Sequence, residues 1–167
     1  MIVCLDVDYR AAAVVTACVG VCDWPDATPA IEAVTRTAGP PPAYESGAFY
    51  RRELPYLTAA LAALAVPPRV IVVDGYVWLA PDRPGLGAHL HAALGSGVPV
   101  VGVAKRPFHG ATTAVPVLRG ESQQPLFVTA IGTDVAEAAA AVRGMHGAHR
   151  IPTMLKRVDR LARDAPA

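Results

Sequence analysis

The chain has 167 residues, 53% of them hydrophobic and 17% charged, with a formal net charge of +1. This composition excludes a disordered chain and a polycation, and the length suits a single domain, residues 1–167, with a sizeable core. No apolar run approaches the roughly 20 residues of a membrane span, and the run after Met1 is broken by Asp6 and Asp8 and has no basic leader, so no transmembrane or secretory segment is expected.

Ile2–Val7 reads as a strand and Ala12–Cys22 as its antiparallel partner across Asp8-Tyr9-Arg10, with Ala30–Arg36 as a third. Gly39-Pro40-Pro41-Pro42 breaks all regular structure. Ser46–Leu64 is helical, because Leu54, Leu57, Leu61 and Leu64 recur at helical spacing. Pro55 fits there only in the first turn or at a kink, and Pro67-Pro68 closes the helix. Val70–Val73 is a continuous β-branched run of the kind buried on both faces in a parallel sheet. A helix over Leu86–Leu94 and a second buried strand over Val98–Ala104 follow. Val115–Leu118 and Leu126–Thr129 form a hairpin, Thr133–Arg143 a helix with Thr133 as its N-cap, and Ile151–Arg163 a last helix beside Pro152. Cys4, Cys18 and Cys22 are odd in number and show no CxxC spacing, which predicts reduced thiols in a cytoplasmic protein.

This order predicts an α/β fold on the ribonuclease H-like plan. Its mixed five-stranded sheet has three antiparallel strands followed by parallel βαβ units, with helices on both faces and an extra hairpin. Three apolar runs then end, or nearly end, in polar residues: Asp6, Asp74 and Lys105. Ligands of open α/β sheets bind outside the carboxyl ends of the strands. Aspartate is a poor strand residue, and two carboxylates about 4 Å apart repel by roughly 4 kcal/mol at an effective dielectric of 20. A divalent cation turns that penalty into binding: Mg²⁺ takes one or two carboxylates and keeps its waters, and it can activate water for in-line displacement. The plainer reading is two strand-ending turns, since Asp74-Gly75 is a common turn pair.

Glu53, at the edge of the leucine stripe, is the candidate third acid. Lys105, one of only two lysines, suits a phosphate oxygen as a point charge. Arg51 and Arg52 either bind phosphate or solvate the surface. Tyr44, on the Pro-stiffened loop, can wedge into a base stack or simply pack on the domain. Arg143, Arg150, Lys156, Arg157, Arg160 and Arg163 form a basic C-terminal stretch that suits a polyanion, or a solvated helix face. His89 and His91 are two apart on one helix and do not face one point. No P-loop, GxSxG or GxGxxG pattern occurs.

These motifs together resemble the endonuclease V family. The resemblance runs through Cys4-Leu5-Asp6-Val7-Asp8-Tyr9, Tyr44 to Glu53 with Gly47 between, Val72-Val73-Asp74-Gly75, Gly85-Leu86-Gly87-Ala88-His89 and Gly102-Val103-Ala104-Lys105. It implies the ribonuclease H-like fold and hydrolysis of the second phosphodiester bond 3′ to a deaminated adenine (deoxyinosine) in DNA repair, with Mg²⁺ or Mn²⁺. Asp6, Glu53 and Asp74 then correspond to the metal-binding catalytic acids, Lys105 to the catalytic lysine and Tyr44 to the DNA wedge. Gly47, Gly75, Gly85 and Leu86 correspond to the base pocket. A monomer in the cytoplasm, acting on DNA or RNA and not on membranes, is the implied setting. The chain departs from the pattern at Ala80 and at Gly132-Thr133, where histidines are common, and at Ser46, where a proline is usual. A catalytically weakened nucleic-acid-binding homologue, or a nuclease for inosine-containing RNA or branched DNA, are the alternatives.

Overall fold

The computed structural model describes residues 1–43 and 49–166. Among the described residues, nine strands and four helices follow in the order β1 (Ile2–Tyr9), β2 (Ala13–Val21), β3 (Ile31–Ala38), α1 (Phe49–Ala62), β4 (Val70–Asp74), β5 (Trp78–Ala80), β6 (Arg83–Pro84), α2 (Leu86–Leu94), β7 (Val100–Ala104), β8 (Val115–Val117), β9 (Leu126–Ile131), α3 (Val135–Gly144) and α4 (Thr153–Asp164). One seven-stranded sheet runs β3-β2-β1-β4-β7-β9-β8, and β5-β6 forms a separate small ribbon. β1, β4 and β7 lie side by side and parallel, which suits the continuous Val/Ile run of the central β4. β2 and β3 extend the sheet antiparallel on one side, β9 and β8 on the other.

Alternation along the central strands sorts the core into two layers. Val3, Leu5, Ile71 and Val73 pack under α1 and α2 with Leu57, Leu61 and Leu90. Ile2, Cys4, Val72 and Val101 pack under α3 and α4 with Val142, Met154 and Val158. Each fully buried aliphatic side chain contributes about 1.5–3 kcal/mol, so both helical layers are firmly seated. Cys4 and Cys18 fall in opposite layers as free thiols, while Cys22 is exposed. Among the described residues no helix is long and apolar enough to cross a membrane.

The expected mixed sheet with helices on both faces is present, with differences. The sheet has seven strands instead of five, because β9 pairs with β7 and carries the C-terminal hairpin into the main sheet. β1 runs through the expected turn as far as Tyr9, which pairs with Val14, and the chain reverses over Arg10–Ala12 instead. Pro55 sits inside α1, past its first turn. α3 is capped one residue later than expected: Asp134, not Thr133, accepts hydrogen bonds from the amides of Ala136 and Glu137 at 2.8 and 3.0 Å. The charged carboxylate acceptor suits the positive helix end better than a neutral hydroxyl.

Candidate functional site

The register that pairs Leu5 of β1 with Val73 of β4 brings Asp6 beside Asp74 one residue further on, on strands about 4.8 Å apart. Both point to the α4 side, two residues beyond Cys4 and Val72 of that layer. Lys105 follows the last residue of β7, and its Nζ donates to Asp74 Oδ2 at 2.5 Å, with the two side chains 46% and 43% exposed. Asp6 does not end its strand as expected, because β1 stays paired with β2 as far as Tyr9. It lies level with Asp74 at the end of β4 and with Lys105 just past β7, so the three still meet at one sheet edge. A cavity there is lined by Asp6, Asp74, Lys105 and Asp159 above Leu5 and Val73.

Glu53 reaches the same edge from α1. Burial, then the charges of Asp6 and Asp74, push its carboxyl up to about 8. Asp6 is pushed up to about 6, again by burial first and Asp74 second. Neither acid forms an ion pair among the described residues. Burial works against the charge of Lys105, but its hydrogen bond to Asp74 and the surrounding acids outweigh this and raise its pKa. Tyr9, at the end of β1, faces Glu53; its hydroxyl is buried and completes no well-formed hydrogen bond among the described residues. Arg52 stacks its guanidinium 4.0 Å from the Tyr9 ring centroid, so it belongs to the site's wall, not to open solvent.

Lys105 and Arg52 offset only part of the crowding of Asp6 and Glu53 beside the half-exposed Asp74, and a divalent cation is a group that could offset the rest. Among the described residues no three Asp, Glu, His or Cys side chains close around one point. Asp6, Glu53 and Asp74 are the residues that could hold a hydrated cation, which needs only one or two carboxylates, and they form no closed structural cage.

Asp159 was not singled out from the sequence, where it reads as the lone counter-charge in a basic helix. Its position carried a signal: Leu155 and Ala162, four before and three after, place it on the buried stripe of α4. It faces Asp6 and hydrogen-bonds Arg163 one turn on.

A second pocket of about 260 Å³ opens beside Asp74 and is lined by Gly75, Gly85 and Leu86, together with Phe49, Phe108 and Arg83. A Cβ on Gly85 would come within 2.5 Å of the Tyr76 carbonyl, so only glycine lets the backbones approach here. Phe49 and Phe108 are 42% and 40% exposed and flank the pocket, and neither was selected from the sequence. Tyr76 braces the Phe108 side: its hydroxyl donates to the Arg106 carbonyl at 2.7 Å and accepts from the Phe108 amide at 3.0 Å. Tyr44, Gly47 and Ser46 lie outside the described residues. Ala80 and Thr133 line neither the acidic cavity nor this pocket.

Residues 1–151 match the family model described as Endonuclease V. The chain belongs to the endonuclease V family. An endonuclease V from Streptomyces avermitilis is 36% identical over 143 residues, 73% of this chain and 61% of that protein. One from Streptomyces coelicolor is 34% identical over 145 residues, 73% of this chain and 60% of that protein. The chain thus spans about three fifths of the length of these curated relatives. The crystal structure of the Streptomyces avermitilis endonuclease V superposes with a TM-score of 0.77 at 33% identity, covering 98% of this chain and 80% of that one. The Ciona intestinalis endonuclease V, in complex with a 24mer DNA containing an inosine followed by a ribo-adenosine, shares the fold with a TM-score of 0.82 at 21% identity, covering 98% of this chain and 84% of that one. The fold is the ribonuclease H-like fold of endonuclease V. The α4 helix with Asp159 lies beyond the matched stretch.

Proposed function

We propose that this chain is a divalent-metal-dependent endonuclease that hydrolyses a phosphodiester bond on the 3′ side of deoxyinosine in DNA, in the repair of deaminated bases. The observation that carries the reading is the meeting of Asp6, Glu53, Asp74 and Lys105 at one sheet edge, with the carboxyls of Asp6 and Glu53 raised by burial and by their acidic neighbours. Asp6, Glu53 and Asp74 hold Mg²⁺, or Mn²⁺ in its place. When bound, the cation supplies charge to a phosphate oxygen and lowers the pKa of a coordinated water. Lys105 keeps its proton, spends one donor on Asp74 Oδ2 and offers two more to phosphate oxygens, holding the scissile group as developing charge builds.

The pocket beside Asp74 takes the extruded base. Gly75, Gly85 and Leu86 form its wall, and Phe49 and Phe108 give the base aromatic faces to stack on. Extrusion costs a few kcal/mol, least at a mismatch-like lesion, and Tyr44 fills the gap as a wedge. The Ciona complex with inosine-containing DNA supports this class of substrate. The chain keeps all of Asp6, Glu53, Asp74 and Lys105, which favours a working centre over a binding module that has lost catalysis. A monomer in the reducing cytoplasm fits the unpaired thiols. The direct test is cleavage of matched inosine DNA, inosine RNA and junction DNA with Mg²⁺ and with chelator: metal-dependent cutting of the inosine DNA supports the reading, and cutting confined to another substrate refutes it.

A further inference from the structure

Lys105 stands one residue past its strand, where the ladder has run out. The last pair of β7 and β9 is Ala104 with Phe127, and Pro125 has no N–H to carry the pairing further. Arg150 replaces the missing rungs. Its guanidinium Nη2 donates to the carbonyls of both Lys105 and Pro125, the latter at 2.9 Å, and Nη1 reaches Gln124 Oε1 at 3.4 Å. One planar fork thus ties the backbone under Lys105 to the neighbouring strand end.

The segment that delivers Arg150 is itself fixed. Arg119, 6% exposed, donates to the carbonyls of Arg143, Met145, Gly147, His149 and Arg150. Gly120 lies so close to this segment that a Cβ would come within 2.3 Å of the Ala148 carbonyl oxygen. A buried guanidinium bonded to carbonyls on several sides resists displacement, because any carbonyl it loses leaves a buried polar group unpaired.

We propose that Arg150 is a positioning residue for Lys105: it fixes the backbone from which the ammonium is aimed at Asp74 and at the phosphate beside it. The inference rests on the nuclease reading for its kinetic consequence and on geometry alone for the placement of Lys105. An arginine fork bridges two carbonyls in a way a single ammonium reproduces only in part.

The test compares Arg150→Met and Arg150→Lys with the wild-type chain, each checked by thermal melting. In Arg150→Met, kcat on an inosine-containing strand falls on the order of 10²-fold while KM stays near the wild-type value, since misplacing one preorganised group costs about that much. Arg150→Lys recovers part of the loss. Lys105→Met combined with Arg150→Met is no slower than Lys105→Met alone, because both act through one group. An independent arm labels lysines with an amine-acetylating reagent and reads them by mass spectrometry, with Lys156 as the internal control. Lys105 is acetylated several-fold faster in Arg150→Met, while Lys156 is unchanged. Unchanged Lys105 labelling in a folded variant overturns the proposal, as does a double variant slower than Lys105→Met by the full Arg150 factor. If the wild-type chain cuts no strand, the nuclease reading fails and the labelling arm alone decides the placement of Lys105. If the methionine variant melts early, Arg150→Lys carries the comparison with an intermediate labelling rate.

Discussion

Lys105 Nζ sits 2.5 Å from Asp74 Oδ2, and both side chains remain nearly half exposed. An ion pair so placed contributes little to stability, about 0–1 kcal/mol. It stands where β4 and β7 both end, in the position where a phosphate would arrive. Lys105→Met is therefore expected to leave the melting temperature within a few degrees while slowing cleavage on the order of 10²–10³-fold. An unchanged rate removes Lys105 from the site.

The crowding of Asp6 and Glu53 costs stability and fixes its pH dependence. Both carboxyls are raised in the folded chain, Asp6 from 3.8 to about 6 and Glu53 from 4.5 to about 8, by burial and then by neighbouring acids. A raised acid favours the folded state while protonated, so this contribution is complete below about pH 4 and is lost as pH rises through about 8. Glu53→Gln is expected to melt at least about 3 °C higher than the wild-type chain at pH 8.5 with chelator present, and the gap closes at pH 4.5. Added Mg²⁺ stabilises the wild type more than Glu53→Gln. A glutamine variant less stable than wild type at pH 8.5 contradicts this account of the acids.

The aromatic pair at the second pocket predicts a loss confined to lesion recognition. Phe49→Ala and Phe108→Ala each remove one stacking face, worth about 1–3 kcal/mol per base. Each is expected to lower kcat/KM for inosine strands roughly 5- to 100-fold while leaving residual cutting of undamaged strands unchanged. Equal losses on both strands would take these residues out of the base pocket.

On α4, the arginines do not share one role. Arg157 is bound to Glu32 of β3 and Arg163 to Asp159. Lys156 and Arg160 have no side-chain partner among the described residues and line one groove with His149 and Thr153. Neutralising Lys156 and Arg160 together is expected to flatten the dependence of log Kd on log salt by about 0.9 per lost duplex phosphate contact. Arg157→Gln changes the slope less. A slope unaltered in the double variant means that the groove does not touch the nucleic acid.

The centre was legible in the sequence where a residue type contradicted its surroundings. Asp6 interrupts an apolar run, Asp74 ends one and Lys105 stands just after one, so polarity next to buried strands announced the shared edge. Glu53 was visible because leucine spacing set it beside the buried stripe. The rest depended on partners distant in the chain. Nothing in Leu126–Ile131 says that it pairs with β7, because β-branched composition fits any half-buried strand. Asp159 was masked by the basic charges around it. Arg119 and Arg150 act through long side chains on backbone carbonyls, and a carbonyl has no letter in the sequence. Thr133 and Asp134 both cap helices well, so the choice between them was a matter of one residue of geometry.

If Asp6, Glu53 and Asp74 act together on one divalent ion, as proposed, Asp74→Asn is the decisive variant. This change keeps the side chain's shape and removes one of the charges that crowd Asp6 and Glu53. The variant should fold and melt like the wild-type chain or slightly higher, yet show no cleavage of an inosine-containing strand in Mg²⁺. Full metal-dependent cleavage by a folded Asp74→Asn chain contradicts the account.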